Sequence, residues 1–290
     1  MPAVTAPDRA PPVALGIVGH DPVGGAGQAA VLRTYAALGV HGASALTLVS
    51  AQSSVGLRRV DPVAPEMVVA QVEAVLDDMA VVAVTTGMLW DGGIAGAVAA
   101  LAASGRLPNL VVDPVLVAAS GHRVVGTDVD TAYRDVLIAC ARVVTPNTIE
   151  AGLLVGAAVG SVDEAADAAK TLLGWGPEAV VVTGGRRPGD QAVDVLATVH
   201  GTHVLSSAWV DTVNVRGSGD TFAAVVTARL AHGDTVEAAV DAAHTFTAAS
   251  LRRAAGWRLS AGPGPLDQLH VADRLADPMA DRLADPADGP

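Results

Sequence analysis

Asn214-Val215-Arg216-Gly217-Ser218-Gly219-Asp220-Thr221-Phe222 runs directly into an apolar stretch with helical spacing, Ala223 to Leu230. Two glycines one residue apart let the backbone turn tightly and gather bare N–H groups. A helix that begins there adds its own unpaired N–H groups and the positive end of its dipole. Gly217, Ser218 and Gly219 therefore read as an anion hole suited to a phosphate. Asp220 stands at the lip of that hole, where a carboxylate can take a proton from an alcohol. The competing reading is purely structural: a glycine-serine turn closed by an aspartate N-cap.

Further polar loops follow strand-like runs. Gly19-His20-Asp21-Pro22-Val23-Gly24-Gly25-Ala26-Gly27 comes after the first. Within it, Gly25-Ala26-Gly27-Gln28-Ala29-Ala30 matches a dinucleotide fingerprint, which requires an acid about 20 residues on. Residues 44–54 hold no acid and the next is Asp61, so a nicotinamide cofactor is not expected. A glycine loop that lets a flat substrate approach the backbone, with Gly19 and Asp21 near it, fits better. Gln52, after the second strand, carries an amide that can donate to and accept from the edge of a heterocycle. Met88, in the loop Thr86 to Leu89, could form an apolar wall, against core packing as the ordinary use of methionine. Asp113-Pro114-Val115 ends another strand, and Asn147 stands three residues before Glu150 at the next. Asp113, Asn147 and Glu150 could hold a hydrated Mg²⁺, which takes a few oxygen ligands and keeps its waters. Asn147 followed by Glu150 is equally a helix-start signal.

Composition narrows the classes. The formal net charge is −12, which disfavours a nucleic-acid backbone or an anionic membrane as partner and leaves a small molecule. A single Cys140 excludes an internal disulfide and a multi-cysteine metal site, and points to a reducing cytoplasm. Residues 1–12 show no signal-peptide pattern, and no run approaches the roughly 18 uninterrupted apolar residues of a membrane helix. Lys170, the only lysine, has no glycine-rich loop before it, so a Walker-type phosphate loop is absent.

Elements that could position these loops are legible from periodicity. Strand-like runs fall at Ala14–Val18, Ala45–Val49, Val81–Thr85, Leu110–Val112, Val143–Thr145 and Ala179–Thr183, with helical spacing between them. Ser161 followed by Glu164 reads as a capping box. Near-continuous apolar strands alternating with helices predict a three-layer α/β/α fold around a mostly parallel sheet. Val193–Val199 and His203–Ala208, either side of Gly201, read as an antiparallel hairpin at its edge. Residues 1–12 read as disordered, 13–262 as one domain, and 263–290 as a disordered tail. That tail carries the repeat Ala272-Asp273-Arg274-Leu275-Ala276-Asp277-Pro278, found again at 280–286.

Taken in order, Gly19 to Gly27, Ala36 to Val40, Ala51-Gln52, Gly87 to Leu89, Val112 to Val115, Thr145 to Asn147 with Glu150, and Gly217 to Asp220 resemble a known family. It is that of the hydroxymethylpyrimidine and phosphomethylpyrimidine kinases, within the ribokinase-like superfamily. The resemblance runs from about Ala14 to Arg253. It implies a ribokinase-like fold, ATP with Mg²⁺, and γ-phosphoryl transfer to a hydroxymethyl group, or its phosphate, in thiamine biosynthesis. It also implies Asp220 as base, and Gln52, Met88 and Val115 around the ring. A homodimer is a common state of the family.

Departures from the pattern carry information too. The family usually has cysteine where this chain has Asp220; ribokinase and the pyridoxal kinases carry aspartate there. The family's acidic residue after the first glycine loop, which touches the pyrimidine, falls at Val31. Its lysines beside Gly87, Ser120 and Gly184 fall at Thr85, Ala119 and Thr183, all neutral. A pyridoxal-type vitamin kinase and a catalytically idle ligand-binding relative are therefore the alternative readings.

Overall fold

The computed structural model of the chain describes residues 10–118, 122–184, 186–187 and 190–270. A ten-stranded sheet runs through its middle in the order β10-β9-β7-β6-β5-β4-β1-β2-β3, with β8 paired to β9. The strands are β1 Val13–His20, β2 His41–Ser53, β3 Gly56–Pro62, β4 Val81–Thr86 and β5 Leu110–Val112. They continue with β6 Val143–Val144, β7 Ala179–Val182, β8 Arg186–Arg187, β9 Gln191–Thr198 and β10 Gly201–Ala208. From β2 through β1, β4, β5 and β6 to β7 every pairing is parallel. Antiparallel strands border this block on both sides, β3 against β2 and β9 against β7. The expected hairpin is present as β9 and β10, with Thr198 opposite Gly201.

The helices are α1 Gly27–Ala37, α2 Pro65–Asp78, α3 Gly92–Ala103, α4 Asp128–Ala132, α5 Ile138–Cys140, α6 Thr148–Val155, α7 Val162–Leu173, α8 Ser218–Ala231 and α9 Val236–Ala254. A turn of π-helix, Tyr133–Leu137, joins α4 to α5. Strand residues point alternately to the two faces, and the core divides accordingly. Leu15, Ile17, Val84, Leu110, Val112, Val180 and Val182 pack with residues of α2, α3, α6 and α7. Ala14, Val18, Val111, Val143, Ala179 and Val181 belong to clusters with α1, α8 and α9 on the other face. Both faces are covered, which is why β5, β6 and β7 are apolar at every position. Ser161 and Glu164 form the expected capping box of α7, with Glu164 N–H donating to Ser161 Oγ at 3.1 Å.

The packed chain extends past the expected boundary at 262. Leu266, Asp267 and Gln268 are buried, and Pro265 bridges to Arg216. Gln268 Nε2 donates to Thr221 Oγ1 at 3.1 Å, tying this segment to α8. At the other end, Pro12 already belongs to the fold, its carbonyl accepting from His41 N–H at 2.9 Å. Residues 1–9 and the repeat at 272–286 lie outside the described residues. Among the described residues no helix is long and apolar enough to cross a membrane. Leu266→Ala should destabilise the fold by about 2–5 kcal/mol, the range for truncating a buried leucine. Denaturant unfolding measures this; a change within error would mean that the segment does not pack as described.

Candidate active site

The loops named from the sequence gather at the carboxyl ends of the parallel strands, the usual binding edge of such a sheet. Helix α8 aims its first turn at this edge and packs on β1, β4 and β5. Its N-cap is Gly217, in the left-handed region at φ +82°, and no side chain caps the helix. A Cβ at Gly217 would lie 2.1 Å from the Gly25 carbonyl oxygen, so the two glycine loops touch backbone to backbone. Ser218 N–H is taken by the Val215 carbonyl, whereas Gly219 is exposed and its N–H has no acceptor among the described residues. The helix thus presents free N–H and dipole to the cleft.

Asp220 is not the N-cap. It stands in the first turn of α8, with the Gly27 N–H close enough to its carboxylate to favour the charge. A Cβ on Gly87 would sit 3.7 Å from Asp220 Oδ1, so the carboxylate lies over the end of β4. Burial pushes the Asp220 carboxyl above its ordinary value and the Asp21 charge adds to this, while the Gly27 N–H and the Arg216 charge oppose it. A carboxylate so desolvated has raised affinity for a proton.

Asp21 does a different job from the one its loop position suggests. Its carboxylate accepts from the N–H groups of Val23, Gly25 and Ala26 at 3.1, 3.2 and 3.0 Å, and from Arg216 Nε at 2.9 Å. It is an internal anchor rather than a free ligand contact. Burial works against its charge, but the Arg216 hydrogen bond and charge together with the N–H donors hold its carboxyl below the ordinary range. Gly19, at the end of β1, contributes backbone: a Cβ at Gly27, φ +54°, would sit 2.2 Å from its carbonyl oxygen. Arg33 braces the loop from α1 by donating to the Gly24 carbonyl.

Asp113 is buried at the end of β5, and a Cβ on Gly219 would lie 3.5 Å from its Oδ2. Burial, then the charges of Glu150 and Asp220, push the Asp113 carboxyl well above its ordinary range. Glu150 is buried too; its Oε1 accepts from Leu116 and Val117 N–H and its Oε2 from Asn147 N–H. Burial lifts it to about 7, against those donors and with the Asp220 charge adding to the rise. Asn147 takes the structural reading: its Oδ1 accepts from Ile149 and Glu150 N–H at 2.9 and 3.0 Å, completing a capping box for α6.

The proposed trio Asp113, Asn147 and Glu150 therefore does not fit as a direct ligand set. Among the described residues no three acidic, histidine or cysteine side chains are grouped to hold a metal. A hydrated cation on the Asp113 carboxylate does fit the donors present. The buried hydroxyls of Thr86 and Thr145, at the ends of the two strands beside β5, make no hydrogen bond among the described residues. These two threonines and Arg216 were not singled out from the sequence. Position was their only signal: each threonine ends a strand, and Arg216 directly precedes Gly217.

The residues expected around a ring come from the ends of three strands, β2, β4 and β5. Gln52 is half-buried and lies within a strand, not a loop, because β2 runs on to Ser53 and pairs Gln52 with Leu57 of β3. Met88 packs on the core, its carbonyl accepting from Thr47 Oγ1 at 2.7 Å. Val115 is half-buried two residues beyond Asp113. Val31 is buried in the core with Tyr35 and Ala224, so a carboxylate in its place would enter a hydrophobic layer. Thr85 is buried in β4, Thr183 N–H donates to the Pro146 carbonyl, and Ala119 lies outside the described residues.

Comparison with known proteins agrees with this architecture. The family model described as phosphomethylpyrimidine kinase matches residues 21–267. The hydroxymethylpyrimidine/phosphomethylpyrimidine kinase of Synechococcus elongatus is 38% identical over 260 residues, 89% of this chain and 98% of that protein. The enzyme of the same name from Rhizobium meliloti is also 38% identical over 260 residues, 89% and 97% of the two chains. Among solved structures, an ADP complex of Bacillus subtilis pyridoxal kinase superposes with a TM-score of 0.81 at 34% identity, covering 91% of this chain and 99% of that one.

Two expectations follow from the geometry. Gly217→Ala places a Cβ against the Gly25 carbonyl at a left-handed φ and should cost about 2 kcal/mol or more; denaturant unfolding should show it, and an unchanged midpoint would contradict the loop contact. Glu150 supplies the second. In the fold it keeps a proton up to about pH 7, against an ordinary value of 4.5. Between those values the folded form binds more protons than the unfolded chain, so stability must fall as pH rises across the window. Asp113 acts in the same direction. Unfolding at pH 5 and pH 7 without divalent cations should show this fall, and Glu150→Gln should flatten it; equal slopes in both proteins would contradict the assignment.

Proposed function

The chain belongs to the phosphomethylpyrimidine kinase family, and from that premise we propose that it transfers the γ-phosphoryl group of ATP to the hydroxymethyl group of a pyrimidine, and then to the resulting phosphate. One observation carries the reading: a desolvated Asp220 beside the open N-terminus of α8. The N–H of Gly219 and the helix dipole draw the transferring phosphoryl oxygens to Gly217, Ser218 and Gly219. Asp220 accepts the proton of the substrate hydroxyl as that oxygen attacks in line. The glycine loop from Gly19 to Gly27 closes the substrate side, with Gln52, Met88 and Val115 at its margin. Asp113 would hold Mg²⁺ directly and Glu150 through water; when bound, the ion neutralises charge on the phosphates.

A second reading, pyridoxal as acceptor, is favoured by the aspartate at 220 and by the likeness to the Bacillus subtilis pyridoxal kinase. The observations that favour the pyrimidine are the family match and the names of the relatives. A catalytically idle relative would have no use for a desolvated carboxylate beside an anion hole.

Asp220→Asn keeps the size of the side chain and removes the base. It should retain nucleotide binding in a thermal-shift assay and lower kcat by about 100-fold or more. Turnover equal to the unsubstituted protein would remove Asp220 from the mechanism. Nucleotide binding without any ADP release by the unsubstituted protein would favour the idle reading.

A further inference from the structure

Arg216 has no task in the chemistry above, yet it lies between the two glycine loops. Its Nε donates to Asp21 Oδ2 at 2.9 Å, and its side chain is about four-fifths buried, with 21% exposed. A Cβ on Gly25 would come within 2.8 Å of its Cδ, so the guanidinium stem lies flat along the first loop. Its two terminal amino groups make no hydrogen bond among the described residues. Its charge reaches the Asp220 carboxylate, and it immediately precedes the N-cap of α8. The neighbouring cation, Arg33, is already committed to the Gly24 carbonyl, and Thr85 and Thr183 are neutral. A planar guanidinium held by one nitrogen, with its other two free, is well shaped to grip phosphoryl oxygens in pairs.

We infer that Arg216 is a further catalytic residue, whose two terminal amino groups bind the γ-phosphoryl oxygens while Asp21 fixes the plane of the guanidinium. This rests on the proposed kinase reading. In the step it serves, the substrate oxygen forms a bond to the γ-phosphorus as the bond from that phosphorus to the β-bridging oxygen breaks. The electron pair of that bond leaves with ADP, and the hydroxyl proton goes to Asp220. Arg216 neutralises charge on the phosphoryl group in transit and exchanges no proton.

Two measurements on the full chain test this. The first is the affinity for a non-hydrolysable ATP analogue and for ADP, by calorimetry. The unsubstituted protein should bind the analogue more tightly, and Arg216→Met should abolish that difference while keeping ADP binding. This arm needs no acceptor, so it reads Arg216 even if the acceptor is wrongly assigned. The second is ADP release with hydroxymethylpyrimidine. Arg216→Met should lose about 100-fold or more in kcat, the scale for removing one oxyanion donor. Arg216→Lys should recover part of it, and Asp21→Asn, which leaves the cation in place, should lose less. An unchanged preference for the analogue in Arg216→Met would overturn the proposal. So would equal losses of turnover and melting temperature in Arg216→Met and Asp21→Asn, which would make Arg216 a strut between loops. Absence of ADP release by the unsubstituted protein would instead count against the kinase reading.

Discussion

The cleft depends on how one carboxylate is neutralised. Asp21 lies just beyond the end of β1, nearly out of reach of solvent, and a charge there is costly unless it is hydrogen-bonded. Three N–H groups from its own loop and the Nε of Arg216 supply those bonds. Those bonds curl residues 21–26 back on β1 and clamp them to the segment that starts α8. The glycines are the complement of this clamp, because Gly25 and Gly217 touch through their backbones and any side chain would part them. The open turn at the start of α8 is thus held in place by two loops being drawn together, and neither loop would position it alone.

A second constraint is electrostatic. Asp113, Glu150 and Asp220 are within one another's fields, and all three hold their protons more firmly than carboxylates in water. Burial first, and the neighbouring negative charges after it, disfavour the ionised carboxylates and favour whatever brings positive charge. The start of α8, Arg216 and a hydrated divalent cation are three sources of it. The site is therefore poor at holding its own negative charges, which is the electrostatic basis of the proposed nucleotide and cation binding.

Much of this was legible in the sequence, for identifiable reasons. The parallel strands declare themselves because they are apolar on both faces, and β9 with β10 because Gly201 marks their turn. β3 does not, since Gly56–Pro62 is largely exposed and carries Arg58, Arg59 and Asp61 in place of an apolar stripe. Asn147 and Glu150 carry one signal with two meanings, metal ligand and capping box, and only the positions of the N–H groups decide for the cap. Asp21 was visible as a loop acid, but its partner Arg216 is 195 residues away. No local pattern announces such a pair. The boundary at 262 failed for a related reason: residues 264–268 have no periodicity, and their burial is owed to contacts with Thr221, Arg216 and Asn214.

The most direct test of the account is ADP release by the unsubstituted protein with Mg²⁺ and ATP, comparing hydroxymethylpyrimidine, its phosphate and pyridoxal at equal concentration. The account predicts that both pyrimidines support turnover and exceed pyridoxal in kcat/KM. Turnover with pyridoxal alone, or with none of the three, would contradict it.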